Sequence, residues 1–183
     1  MLALLCGCAA TQNLPAHARV RPSPVKSILI LGVAPASQVQ ISPGRSLGEH
    51  AWLRPVGAPV AVLTPERGYI VVPLDPTAGA TEYGISLVAP ARSDIAFLAC
   101  SKSQTVAFAL PPSEASYAGD LTLESGPNGV RIGLAYRPEQ AEHFIRERYP
   151  ALLPDFRPER AREKVVHYPA QPELPLTIRC LAK

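Results

Sequence analysis

Three residues with metal-ligand chemistry recur at four-residue intervals in the C-terminal third of the chain. Glu139, His143 and Glu147 would share one face of a helix, because residues four apart are neighbours on a helix surface. Carboxylate oxygens and a neutral imidazole can bind a divalent metal ion. The same spacing is typical of a solvated helix face with ion pairs, such as Glu142 with Arg146. The sequence favours the solvated face, so we expect no cofactor; a metal-dependent enzyme or metal-binding protein is the alternative.

Cys100 and Cys180 are two of the four cysteines in the chain. Each follows a strand-like run, and neither belongs to a CxxC motif or has a histidine near it in sequence, which argues against a zinc site. In an oxidising compartment we expect the two residues to form a disulfide. The bond would close a loop of roughly 80 residues. Two buried free thiols are the alternative.

The other two cysteines lie in the apolar run MLALLCGC at positions 1–8. This run resembles the bacterial lipobox, in which an aliphatic residue stands three places before the modified cysteine and a small residue directly precedes it. Cys8 fits that pattern, whereas Cys6 follows the bulky Leu5. The resemblance implies a lipoprotein signal ending at Cys8, which would carry the palmitate-containing lipid anchor. Ala9 is not the aspartate that retains lipoproteins in the inner membrane, so we expect the outer membrane. A cytosolic protein without lipid is the alternative.

The composition excludes several classes of protein. With 47% hydrophobic and 18% charged residues in 183 positions, the chain can bury a core and is not disordered throughout. Its 21 prolines leave few windows long enough for a helix bundle. The sequence patterns HExxH, GxxxxGK[ST] and GxGxxG do not occur in it, and we predict that the protein is not an enzyme.

Proline and charge divide the chain into segments. Residues 9–24 are predicted to be a flexible Pro-rich tether, and residues 25–183 to be one domain. Within that domain, residues 150–173 are rich in proline and in charge, which predicts a surface excursion. Basic side chains between Arg157 and Lys164 are offset by Glu159 and Glu163, so we expect no nucleic-acid binding. A basic excursion could still meet an anionic envelope component or an acidic partner protein.

Short apolar runs separated by Pro and Gly dominate the domain, which predicts a mainly β fold, an antiparallel β-sandwich. The clearest local pattern is in Tyr117–Glu124, where Leu121 and Leu123 alternate with polar residues. Asn128-Gly129 supplies turn residues that tolerate a positive φ, so the pattern predicts a hairpin into Val130–Tyr136.

One α-helix is predicted at about residues 137–149. Pro138 lies in its first turn and Pro150 just beyond its end, the positions that proline prefers around helices. Ala141, Ile145 and Tyr149 share one side with Phe144, which would pack on the sheet.

Several of these elements carry a resemblance to a known group of proteins. Tyr117-Ala-Gly-Asp-Leu121, followed by a hairpin and a helix that ends in Arg148-Tyr149-Pro150, is similar to a group of proteobacterial envelope lipoproteins of unknown function with a small β-sandwich domain. The resemblance covers roughly Tyr69–Pro150 and implies fold and location only. Gly119 is expected to allow a bulge or a close backbone approach in its strand.

Together these features predict a lipid-anchored lipoprotein that faces the periplasm from the outer membrane. We expect an accessory or binding role, with a membrane attachment through the lipid and an envelope protein or anionic envelope component as partner.

Overall fold

Runs of β-branched, aliphatic and aromatic residues become strands along most of the chain, because such side chains pack well on a pleated surface. The structure, a computed structural model, describes residues 12–55, 57–75, 79–126, 129–168 and 175–182. Among them are thirteen strands: β1 (Ser27–Ala34), β2 (Ser37–Ser46), β3 (Ala51–Leu53), β4 (Ala61–Leu63), β5 (Tyr69–Leu74), β6 (Glu82–Pro90), β7 (Ala96–Leu98), β8 (Gln104–Phe108), β9 (Ala115–Gly126), β10 (Gly129–Ala135), β11 (Phe156–Arg157), β12 (Arg162–His167) and β13 (Ile178–Cys180). An α-helix, α1 (Pro138–Arg148), and a 3₁₀ helix, η1 (Pro150–Asp155), complete the elements. The chain is therefore mainly β with one α-helix, as the sequence predicts.

The strands form two sheets. In the first, the order is β10-β9-β1-β5, and β11 also pairs with β9. In the second, β2, β3, β12, β8 and β6 pair in a closed circuit and form a small barrel. Strands β4, β7 and β13 extend this second sheet outside the circuit.

The pairing is mixed and not purely antiparallel, which corrects that part of the predicted fold. Strand β1 runs parallel to β9, and β3 runs parallel to β12. Both pairs join segments that are far apart in the chain. Local turn signals identify only antiparallel hairpins, because a parallel pair needs a long crossover connection.

Strand β1 is buried on both faces and separates two apolar clusters. Leu29 and Leu31 pack in a core shared with the barrel strands, whereas Ile28 and Ile30 pack in a second core beneath α1. A continuous apolar run is the expected sequence of a strand covered on both sides. Each fully buried side chain of this size contributes about 1.5–3 kcal/mol.

The predicted hairpin is present, with β9 and β10 paired in antiparallel register. Residues 127 and 128 of its turn lie outside the described residues. Leu121 is fully buried, and Leu123 is half-buried against the same core.

Helix α1 lies where the sequence predicts it. Ala141 and Ile145 are buried in the second core, and the ring of Phe144 stacks on that of Tyr69 at a centroid distance of 4.4 Å. Pro138 begins the helix, where its missing N–H group leaves no hydrogen bond unmade. Across the described ranges, no helix is both long and apolar enough to span a bilayer.

Residues 12–20 pack against the domain, which differs from the tether predicted for residues 9–24. Leu14 is buried in the second core. Its N–H donates to the carbonyl of Val71 at 2.7 Å, and its own carbonyl accepts from the Tyr149 hydroxyl at 2.8 Å. Strand β5 is the edge of the first sheet, and the backbone groups on its outer side are available to another segment of the chain. The N-terminal segment uses them and buries one apolar residue, Leu14. Residues 9–11 lie outside the described range.

Residues 150–173 contain core elements, which corrects the predicted surface excursion. Strand β12 lies inside the barrel circuit, between β8 and β3. Lys164 and Val166 of this strand are buried, as is Leu152 of η1. The sequence does not predict this strand, because one of its two buried residues is a lysine and the apolar–polar alternation is therefore lost among charged residues. Residues 169–174 lie outside the described ranges.

Candidate functional site

The predicted metal-ligand face of α1 is an exposed, ion-paired surface. Glu139, His143 and Glu147 lie on the exposed side of the helix, with 3.3 Å between His143 Nε2 and Glu147 Oε1. Glu142 pairs with Arg146 on the same helix. Among the described residues, no group of three or more His, Cys, Asp or Glu side chains is placed to hold a metal ion. The three predicted residues therefore lie on a solvated helix face.

Cys100 and Cys180 are bonded to each other, with their Cα atoms 5.4 Å apart. Cys100 lies two residues after β7, and Cys180 is the last residue of β13. These two strands pair in parallel. Cys100 lies in a small apolar cluster with Leu87 and Leu98. The disulfide thus fixes the short strand β13 to the second sheet across 80 positions of sequence. Cys8 lies outside the described residues.

A β-bulge in β9 brings Tyr117 and Asp120 onto one face of the first sheet. The register between β1 and β9 shifts by one residue at Ala118, and the following Gly119 has a φ of 127°. Without the bulge, side chains three positions apart would point to opposite faces. The Tyr117 hydroxyl accepts from the Arg137 N–H at 3.1 Å, and it lies near enough to the Asp120 carboxyl for each group to influence the pKa of the other. The role predicted for Gly119 is confirmed.

Asp120 is a desolvated carboxyl group. It is 8% exposed, and its Oδ1 atom has no hydrogen-bond partner. That atom lies above Gly32 of β1, so close that a Cβ at Gly32 would be 2.0 Å from it. Burial raises the pKa of Asp120, and the nearby Tyr117 hydroxyl opposes the shift. Burial and the nearby Asp120 charge raise the pKa of Tyr69 as well.

The interior of the barrel is built around one tryptophan. Trp52 of β3 is fully buried and reaches across the barrel to Gly84 of β6, a strand that does not pair with β3. A Cβ at Gly84 would lie 2.8 Å from the indole ring, and one at Gly44 would lie 2.3 Å from Nε1. The two glycines therefore make the space that the indole occupies.

One end of the barrel interior is closed by a satisfied ion pair. Lys164 of β12 is 3% exposed, and its Nζ donates to both carboxylate oxygens of Glu82 at 2.7 and 2.8 Å. It also donates to Ser46 Oγ at 2.8 Å and to the Gly48 carbonyl at 3.1 Å. All donors of the ammonium group are used in this arrangement. Lys164 therefore links its own strand, β12, to β6 through Glu82 and to the end of β2 through Ser46.

Ser46 lies at the centre of a catalytic-type sequence pattern that is not among the predicted sites. Residues 44–48 read Gly-Arg-Ser-Leu-Gly, which has the GxSxG spacing of a nucleophile elbow. That elbow joins a strand to a helix, whereas Ser46 ends β2 and the chain continues into β3. Because Lys164 is bound to Glu82, it is not available as the base that a serine nucleophile needs. The spacing here lies at one end of the barrel and lacks the strand-to-helix turn of a nucleophile elbow.

Arg54 lies at the end of the barrel interior opposite to Lys164. It is two residues after Trp52 of β3, so its side chain points to the same side of the strand. Tyr168 is likewise two residues after Val166 of β12, which is the register partner of Trp52. The Arg54 Cζ atom lies 5.1 Å from the centroid of the Tyr168 ring. Arg54 is 6% exposed, and its Nε and Nη1 atoms have no hydrogen-bond partner.

Two open clefts flank the barrel. The first, of about 360 Å³, lies outside the wall formed by β2 and β3 and is lined by Pro43, Arg45, Leu53, Pro55 and Ala80, among others. The second, of about 570 Å³, is polar, with Glu49, His50, Leu134, Arg160, Arg162 and Glu163 among its lining residues. Because acidic and basic side chains are mixed around the second cleft, their charges largely cancel, and the cleft attracts neither anions nor cations strongly.

Comparison of the chain with protein-family models, with curated proteins and with solved structures finds no match. The chemistry of the described residues is therefore the basis on which a function can be assigned.

Proposed function

We propose that this chain is a lipid-anchored binding protein of the bacterial cell envelope, attached through Cys8 to the periplasmic face of the outer membrane. The observation that carries the proposal is the disulfide between Cys100 and Cys180. Disulfides persist in oxidising compartments and are rare in the cytosol. The lipobox-like run at positions 1–8 and the resemblance of Tyr69–Pro150 to envelope lipoproteins support the same assignment.

The seated N-terminal segment defines how the domain would stand on the membrane. Asn13 donates from Nδ2 to the Thr64 carbonyl at 2.7 Å and accepts from the Val71 N–H at 3.3 Å. Asn13 is five positions after Cys8, and this stretch spans at most about 18 Å when fully extended. The edge of the first sheet would therefore lie close to the bilayer. A partner would meet the domain near the membrane surface, which suits another envelope protein or an anionic envelope component.

The role we infer is binding or assembly and not catalysis. We infer that the first sheet and the barrel wall stack as the two layers of a β-sandwich, because side chains of both sheets enter one core. Such a scaffold is rigid, and the Cys100–Cys180 bond fixes its last described strand. A rigid scaffold lowers the entropic cost of binding a partner.

The anchor is tested with two matched cysteine variants expressed with the natural upstream DNA. We expect Cys8→Ser to release the protein from membranes and to abolish labelling by a palmitate analogue, whereas Cys6→Ser retains both. Membrane fractions are separated by density and probed with an antibody to the protein. Equal retention of the two variants would contradict lipid attachment at Cys8.

The compartment is tested independently of the anchor. Non-reducing peptide mass spectrometry of protein trapped with a thiol-blocking reagent in intact cells reports the state of Cys100 and Cys180. We expect the bonded peptide. Two blocked free thiols would argue for a reducing compartment and against the envelope assignment.

A further inference from the structure

The two ends of the barrel interior carry one buried cation each, and only one of the two is neutralised. Lys164 is held by both carboxylate oxygens of Glu82. Arg54 makes no ion pair and no side-chain hydrogen bond within the part of the chain that the structure describes. Its Cζ atom lies 5.1 Å from the centre of the Tyr168 ring.

Stacking on an aromatic ring does not satisfy a guanidinium group. The ring interacts with the flat face of the group, whereas the N–H donors lie in its plane and point outward along the edge. The Nε and Nη1 atoms of Arg54 are therefore left as buried donors. The N–H donors of arginine form strong hydrogen bonds to carboxylate and phosphate oxygens, and each of these two donors can take one oxygen.

Burial of an unpaired guanidinium is unfavourable, because desolvation removes the water that would solvate the charge. The pKa of Arg54 is lowered from its ordinary value mainly by this desolvation, which the nearby Tyr168 partly opposes. Natural proteins retain local violations of this kind at sites that bind something. Arg54 and Tyr168 lie just past the ends of β3 and β12, at the end of the barrel interior opposite to Lys164.

We propose that Arg54 forms an oxyanion-binding site at this end of the barrel, which takes a phosphate or carboxylate group of a ligand. The guanidinium lies beside the ring of Tyr168, and its unpartnered Nε and Nη1 donors each take one oxygen of the anion. Lys164, at the other end, has no free donor and binds no anion. The site depends on the barrel alone and not on lipid attachment at Cys8, so it can be tested on the purified full chain.

The test follows the thermal unfolding and the fluorescence of Trp52, the one tryptophan in the sequence, as inorganic phosphate or acetate is added against chloride at equal ionic strength. We expect saturable stabilisation of the wild type by at least one of the two anions, and the anion that saturates identifies the ligand group. Arg54→Met should weaken this response at least tenfold. Arg54→Lys should weaken it less, because it keeps the charge but loses the planar arrangement of donors. Arg131→Met, a change of the same charge at an exposed strand position, should leave it unchanged.

A second readout separates an anion site from a packing role. In buffer with chloride as the only anion, Arg54→Met should unfold at the same temperature as the wild type or higher, because it removes a desolvated and unpaired charge. No saturable response of the wild type to either anion would overturn the proposal, and so would an equal response of Arg54→Met. If Arg54→Met does not fold, titration of the wild type against Arg54→Lys still decides the question.

Discussion

Gly44→Ala is expected to destabilise the barrel strongly, because the added methyl group has no space. A Cβ at position 44 would lie 2.3 Å from Trp52 Nε1, 2.4 Å from its Cε2 atom and 2.7 Å from the carbonyl oxygen of Leu53. Carbon atoms in good contact are about 3.5–4.0 Å apart, so the indole would have to move by roughly 1 Å. A Cβ at Gly84 would lie 2.8 Å from Cζ2 of the same ring, so the backbone of β6 is also close to the indole.

The size of the effect follows from how little can yield. An overpacked core typically costs about 1–3 kcal/mol. Two of the three contacts involve a fully buried indole and the third a backbone carbonyl, none of which is the free end of a flexible side chain. We therefore expect the upper part of that range, about 3 kcal/mol. The same barrel with a smaller ring should tolerate the methyl group better, so Trp52→Phe should reduce the cost of Gly44→Ala.

Urea unfolding followed by Trp52 fluorescence measures the single variant, and far-UV circular dichroism follows the variants that lack the indole. Gly57→Ala is the matched control, because a Cβ at that position meets no atom within 4 Å, and we expect a change within about 0.5 kcal/mol. A Gly44→Ala protein as stable as the control would refute the arrangement of Trp52 against Gly44. A cost that Trp52→Phe leaves undiminished would place the strain elsewhere.

Three further predictions concern other parts of the structure. Leu14→Ala should lower the free energy of unfolding by about 2–5 kcal/mol, as for other buried leucines; a change below about 0.5 kcal/mol in urea unfolding would mean that the N-terminal segment is not seated. The paired substitution Cys100→Ser and Cys180→Ser should cost roughly 4–5 kcal/mol in the loop-entropy model, and a reducing agent should lower the thermal midpoint of the wild type but not that of the double variant. Burial raises the folded-state pKa of Asp120 above its ordinary 3.8, so the folded state binds more protons between the two values and the stability of the wild type falls as pH rises through the folded-state pKa. Asp120→Asn should remove that fall, and parallel urea-unfolding curves from acidic to neutral pH for the two proteins would contradict it.

Features with a local cause could be read from the sequence. The hairpin β9–β10 follows from the alternation around Leu121 and from turn residues that the chain supplies within a few positions. Helix α1 begins at Pro138 and ends before Pro150, both of which act on their immediate neighbours. The bond between Cys100 and Cys180 spans 80 positions, and its prediction depended on the strand-like run before each cysteine and on an oxidising compartment.

Features that depend on distant partners could not be read in the same way. The place of β12 in the barrel is fixed by a parallel pairing with β3, more than a hundred residues earlier in the chain, and no local pattern encodes such a pairing. The inward position of Lys164 is stable only because Glu82 and Ser46 reach it from other strands. Leu14 likewise owes its burial to the free edge of β5 and to Tyr149, which follow it by more than fifty residues.

The candidate site was beyond sequence reasoning for a related reason. Arg54 is one of many arginines in the chain, and only the barrel shows that it is buried and unpaired. The interior itself gives no single pattern in the sequence. Trp52 is fully buried in it, and the small side chains of Ser42 and Ser86 on the barrel strands bond to each other at 2.8 Å. Lys164 and Arg54 are the buried cations at its two ends. Glu82 neutralises the first, whereas among the described residues the second has no ion-pair partner. The anion site that we propose for Arg54 follows from this difference between the two ends.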